Sequence, residues 1–119
     1  MSLPKPYYSH AGQTIYHGKA EDILPLLPKF DLLLTDPPYG IGEHGGSCRT
    51  RGKSIPNHEN MGWDDFTPPQ STFDMMFELS KDQVIFGANY FTDRHLPPTM
   101  GWVYWDKRMG GDFSDGELI

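Results

Sequence analysis

Along the first third of the chain, apolar residues occur in two patterns, one typical of strands and one typical of a helix. The β-branched and aromatic run 14–17, followed by a glycine, predicts a short strand. Between 20 and 27, apolar residues three, four and seven positions apart mark one face of a helix, which Pro25 keeps short or kinked. The apolar run 30–35 predicts a strand covered on both faces, as parallel strands between helices are. This order predicts a β–α–β unit.

A second helix and three further strands follow from the same patterns. Thr67 is predicted to cap a helix that begins at Pro68, because proline is favoured at the first helical position. The runs 84–86, 102–105 and 117–119 predict strands, which makes the fold class α/β. One face of this helix is predicted to consist of Phe73, Met76, Phe77 and Ser80. Four aromatic residues are predicted to be core residues rather than stacking platforms: Phe86, Phe91, Trp102 and Trp105.

Residues 40–66 show neither a period of two nor one of 3.6, and such a long irregular connection is typical of a functional loop. We interpret it as a binding loop. Its cationic side chains, Arg49, Arg51 and Lys53, either contact DNA phosphates or simply face solvent.

The composition of the chain argues against several classes of protein function and site. Sixteen acidic and ten basic residues give a net charge of −6, which argues against binding nucleic acid through bulk charge. One cysteine excludes an intrachain disulfide and fits a reducing cytoplasm, where we expect the protein to be. No apolar run is long enough to cross a bilayer, so no membrane partner is expected. The histidines lack ligand spacing, so no metal site is expected either.

The chemically informative segment is Asp36-Pro37-Pro38-Tyr39, directly after the predicted buried strand. Ligands of open α/β sheets gather at the carboxyl ends of strands. The two prolines stiffen the turn and remove competing N–H donors. The Asp36 carboxylate and the Pro37 carbonyl can therefore face one cavity beside the Tyr39 ring, and such a cavity suits a planar amine.

Two fixed acceptors would make the amino group of a nucleobase reactive. Drawing both N–H bonds toward Asp36 and Pro37 frees the nitrogen lone pair for attack on an electrophilic carbon. Tyr39 would stack on the base. A base must leave the duplex to enter such a pocket, at a cost of ~a few kcal/mol, so base flipping is expected.

This segment resembles motif IV of the S-adenosylmethionine-dependent DNA amino-methyltransferases of phage and prophage type. The stretches 30–35, 85–91 and 101–107 look like the corresponding parts of that family. The resemblance implies a partial Rossmann-like sheet with helices on both faces, S-adenosylmethionine beside Gly18 and Asp36, and DNA as substrate. It further implies methyl transfer to adenine N6, or alternatively to cytosine N4.

The resemblance covers the amino-terminal part of such an enzyme, since the family's Phe-x-Gly-x-Gly loop does not occur here. Residues 1–12 are then an extension, and 13–119 carry the catalytic motif. Alternative functions are a non-catalytic prophage remnant, a nucleic-acid-binding fragment, or methylation of an RNA or protein amide. An uncovered sheet edge predicts a homo-oligomer.

Four further residues have two interpretations. Asn89 and Tyr90 follow a predicted strand and either line the base pocket or cap the next segment. Asp106 and Lys107 either pair with each other or border the pocket.

Overall fold

The computed structural model describes residues 2–42, 62, 64–92, 96–108 and 116–119. The chain divides into two compact units, Met1–Leu33 with Pro69–Gln83, and Leu34–Pro68 with Val84–Ile119. The described residues form six strands and two α-helices, so the mixed helix and strand content expected of an α/β chain is present. Those strands form three two-stranded sheets. A wider Rossmann-like sheet stays a prediction.

The first unit opens with a hairpin. Strand β1 (Tyr8–His10) pairs antiparallel with β2 (Gln13–Ile15). Ala11 and Gly12 form the turn with φ of 50° and 79°, a region in which glycine is unstrained. The predicted strand at 14–17 thus begins one residue earlier and ends two residues earlier, and its partner lies within residues 1–12, for which the sequence predicts no element.

Prolines limit both helices of this unit. Helix α1 (Ala20–Ile23) gives way to a 3₁₀ turn (Leu24–Leu26) that contains Pro25, so the prediction of a short helix is confirmed. Helix α2 (Gln70–Leu79) contacts this turn and buries Phe73 and Met76. Its predicted start was wrong.

The residue preceding Gln70 at the start of α2 is Pro69, which has extended backbone angles and makes no side-chain cap. Pro68 precedes another proline, and a residue before proline is held out of the helical region. Pro69 therefore disfavours a helix that begins at Pro68, and the helix begins at Gln70, too far along the chain for Thr67 to cap it.

Strands β3 (Phe30–Thr35) and β4 (Ser80–Ile85) lie side by side. At their carboxyl ends the Phe86 N–H donates to the Thr35 carbonyl at 2.9 Å, and at their amino ends the exposed side chains of Lys81 and Asp31 pair at 2.5 Å. The two strands therefore run in the same direction, and β3 matches its predicted bounds. The β–α–β unit is formed by β3, α2 and β4; the unit predicted for 14–35 was wrong, because its first strand pairs with β1 rather than with β3.

The expected cover on both faces of β3 is wrong for the described residues. Leu33 is 8% exposed, whereas Leu32 and Leu34, which point to the opposite face, are 55% and 66% exposed. A run of leucines cannot by itself distinguish a strand buried on two faces from one buried on one face.

In the second unit, β5 (Tyr104–Asp106) pairs antiparallel with β6 (Gly116–Leu118). Phe91 is fully buried as predicted, and Phe86 is half-buried. Trp102 and Trp105 are 37% and 46% exposed, so the prediction that they are core residues was wrong. In the part of the chain that the structure describes, no helix has the length and apolar character needed to cross a membrane.

Candidate active site at the end of strand β3

The predicted motif occupies the turn that leaves β3. Asp36 is exposed, Pro37 is buried, and Pro38 and Tyr39 are half-buried. Buried and ring-constrained, Pro37 fixes the backbone on which the Asp36 carboxylate is carried. The turn therefore presents an anionic side chain at the surface on a stiff support.

The hydroxyl of Tyr39 lies between two carboxylates. It donates a hydrogen bond to Asp36 Oδ1, and it lies 3.3 Å from Glu117 Oε2, which is also an acceptor. A phenol has one proton, so it serves one carboxylate fully at a time. Burial, followed by the hydrogen bond and negative charge of Asp36 and then by Glu117, raises the pKa of Tyr39. The phenol is therefore held neutral.

The ring of Tyr39 is fixed by neighbours from the chain that follows β4. It stacks on Tyr90 with centroids 4.6 Å apart and planes 13° apart, and Phe91 approaches at 6.2 Å with a tilt of 60°. Gly87 has a φ of 67°, and a Cβ at that position would overlap the Tyr39 ring. Glycine is thus required there both by the backbone and by the ring.

Glu117 is a charged residue inside a strand, and it is only 5% exposed. Its Oε1 forms an ion pair with the Lys107 ammonium group, which also lies 5.0 Å from the Trp105 ring centroid. A buried carboxylate is costly unless it is paired in this way. Sequence reasoning missed Glu117 as a site residue; the available signal was an acidic side chain within a segment predicted to be a strand.

The first two glycines after the motif bind one aspartate near the far end of the predicted loop. The Gly40 N–H donates to Asp64 Oδ1 at 2.9 Å, and the Gly42 N–H donates to the Asp64 carbonyl at 3.0 Å. Asp64 is 2% exposed, and the two glycines have φ of 71° and 77°. Hydrogen bonds therefore join the two ends of the segment predicted as a binding loop, next to Tyr39.

Of the residues with two interpretations, Tyr90 contacts Tyr39 and Lys107 contacts Glu117. Asn89 accepts a hydrogen bond from the Leu118 N–H at 3.2 Å and so supports β6. Asp106 accepts a hydrogen bond from the Arg108 N–H at 2.9 Å. The ion-pair partner of Lys107 is Glu117.

Two predicted groups remain outside this cluster. Gly18 lies against α1, where a Cβ would meet Ile23 Cδ1 at 2.9 Å. The basic loop residues lie outside the described residues: Arg49, Arg51 and Lys53.

Comparison with known proteins relates the chain to one class of enzyme. The Type II methyltransferase M.ScaI of Streptomyces caespitosus is 43% identical over 44 residues, which are 35% of this chain and 14% of that protein. This similarity relates the chain to the methyltransferases. No protein-family model and no solved structure matches it. The chain thus matches only a small part of the length of that relative.

Proposed function

We propose that this chain carries the amine-binding site of an S-adenosylmethionine-dependent DNA methyltransferase, with the exocyclic amine of a flipped base, first of all adenine N6, as acceptor. The observation that carries the proposal is the exposed Asp36 carboxylate on the stiff turn after β3, hydrogen-bonded by the Tyr39 phenol. The partial similarity to a Type II methyltransferase supports it.

Asp36 has acceptor capacity left for a substrate amine. An ionised carboxylate offers about four lone-pair positions, of which the Tyr39 hydroxyl uses one. One N–H of the amine would bind Asp36 and the other the carbonyl of Pro37. With both N–H bonds oriented, the nitrogen lone pair points away from the base plane toward the methyl group that it attacks.

Tyr39 would provide the stacking surface for the base. Tyr90 already covers one face of the ring, so the base stacks on the opposite face. Stacking of a base on an aromatic side chain is worth about 1–3 kcal/mol, comparable to the few kcal/mol that flipping costs.

The exposed Asp36 carboxylate fits a cationic methyl donor, because a carboxylate stabilises nearby positive charge. Methyltransferases in general use S-adenosylmethionine, which supplies a methyl group bound to positively charged sulfur. Asp36 would hold the acceptor amine against that group and accept the proton that the methylated nitrogen must lose.

The proposal is tested by the product. The chain is incubated with S-adenosylmethionine carrying a tritiated methyl group and with PCR-amplified DNA, which has no methylated bases, and the DNA is digested to nucleosides. Label in N6-methyl-2′-deoxyadenosine confirms the proposal, and label in N4-methyl-2′-deoxycytidine moves the acceptor to cytosine.

Transfer to RNA or to a protein amide instead of DNA would contradict it. So would binding of DNA that neither requires the donor nor leads to label, which is the result expected of a non-catalytic fragment.

A further inference from the structure

We propose that Glu117 is a positioning residue that takes over the hydrogen bond of the Tyr39 hydroxyl when a substrate amine binds Asp36. The exchange breaks the Tyr39–Asp36 hydrogen bond and forms a Tyr39–Glu117 hydrogen bond, and no proton changes its covalent partner. The consequence for catalysis rests on the proposed function. The contact between the two side chains does not.

The two oxygens of Glu117 have different partners. Oε1 is paired with Lys107, and Oε2 lies 3.3 Å from the Tyr39 hydroxyl. The ion pair fixes the carboxylate, which is 5% exposed, so Oε2 stays directed at the phenol. Glu117 therefore offers Tyr39 a second acceptor that is already in place.

A substrate amine that binds Asp36 through Oδ1 competes with the phenol, because Oδ1 is the oxygen to which the Tyr39 hydroxyl donates. Because the Tyr39 ring is held by Tyr90 and Gly87, the phenol oxygen stays where it is, and only the O–H bond has to rotate. Without an acceptor at position 117, the displaced hydroxyl would lose its hydrogen bond in a partly buried place. An unsatisfied buried polar group costs more than the net value of an ordinary hydrogen bond.

This exchange predicts that the effect of Glu117 depends on the Tyr39 hydroxyl. In Glu117→Gln the amide oxygen should face the Lys107 ammonium, which leaves the NH2 group, a donor, opposite the phenol. We expect this variant to lower kcat/KM for methyl transfer to PCR-amplified DNA about tenfold, the value of one hydrogen bond to a charged group. In a Tyr39→Phe background, which lacks the hydroxyl, the same substitution should change kcat/KM less than about twofold.

The matched control is Glu78→Gln, which removes an equal charge from an exposed position on α2 and should leave kcat/KM unchanged. An equal loss from Glu117→Gln in the wild-type and Tyr39→Phe backgrounds would show a merely structural role and overturn the proposal.

A second measurement does not depend on activity. In protein labelled with ¹³Cζ-tyrosine, the Tyr39 resonance, assigned through Tyr39→Phe, should shift in Glu117→Gln and stay in place in Glu78→Gln. An unchanged Tyr39 resonance in Glu117→Gln would overturn the contact itself. If the wild-type chain transfers no methyl group while this resonance shifts, the proposed function fails and the positioning contact stands.

Discussion

Tyr39 is the residue on which the candidate site depends. The sequence predicts it as a stacking platform for a base, and the structure shows that its ring already stacks on Tyr90 and that its hydroxyl already binds Asp36. The adjacency of Tyr39 to Asp36 follows from the motif, since the two lie in one short turn. The contact with Tyr90 does not, because it joins two turns far apart in the sequence.

Gly87→Ala should disturb this ring. The backbone conformation, with φ of 67°, costs a non-glycine residue roughly 1–2 kcal/mol, and the overlap of the new Cβ with Tyr39 adds about 1–3 kcal/mol. Gly12→Ala is the matched control, because its φ is 79° and a Cβ there meets nothing within 4 Å. Chemical denaturation should show the larger loss of unfolding free energy for Gly87→Ala; equal losses would mean that the ring does not pack on Gly87.

The raised pKa of Tyr39 predicts a pH dependence of stability. A phenol whose pKa is raised in the folded state stays neutral there, while in the unfolded state it ionises near pH 10. The unfolded state then binds fewer protons above about pH 10, so stability falls as pH rises. Tyr39→Phe should lose less unfolding free energy than the wild type between about pH 9 and 11. Parallel pH profiles for the two proteins would contradict the burial of this hydroxyl.

At the scale of elements, short sequence patterns predicted the bounds of a helix or strand correctly where neighbouring residues alone determine them. Strand β3 has its predicted bounds because an apolar run lies between Pro28 and Pro37. The start of α2 was missed because the preference for proline at the first helical position was applied without the restriction that Pro69 places on Pro68. The exposure of Leu34 was missed because burial depends on what the rest of the chain brings to that face.

Asp64 should determine the stability of the turn that carries the motif into the predicted loop. Asp64→Ala removes the acceptor of the Gly40 N–H, and hydrogen exchange at the Gly40 amide should become about tenfold faster. Asp65→Ala, the same substitution at an exposed neighbour, should leave that amide unchanged. Equal rates at Gly40 in both variants would show that the Asp64 side chain does not hold the turn.

At the scale of the whole molecule, the sequence predicts the chemical class better than the arrangement. The motif after β3 indicated a methyltransferase, and the similarity to a methyltransferase supports this class. Glu117 and Tyr39 are 78 residues apart in the chain, and the pattern of hydrophobic residues does not predict a contact between them. Self-association through an uncovered sheet edge stays a prediction, as does binding to DNA by a chain whose net charge is −6.

The most direct test of the central claim compares two aspartates of one strand and turn. Asp36→Asn keeps the shape of the side chain and removes its charge, whereas Asp31→Asn makes the same change at an exposed surface ion pair of little energetic value. We expect Asp36→Asn to lower the rate of methyl transfer to DNA at least about 100-fold, and Asp31→Asn to leave it within about twofold of the wild-type rate. Equal rates for the two variants would show that Asp36 does not hold the acceptor amine.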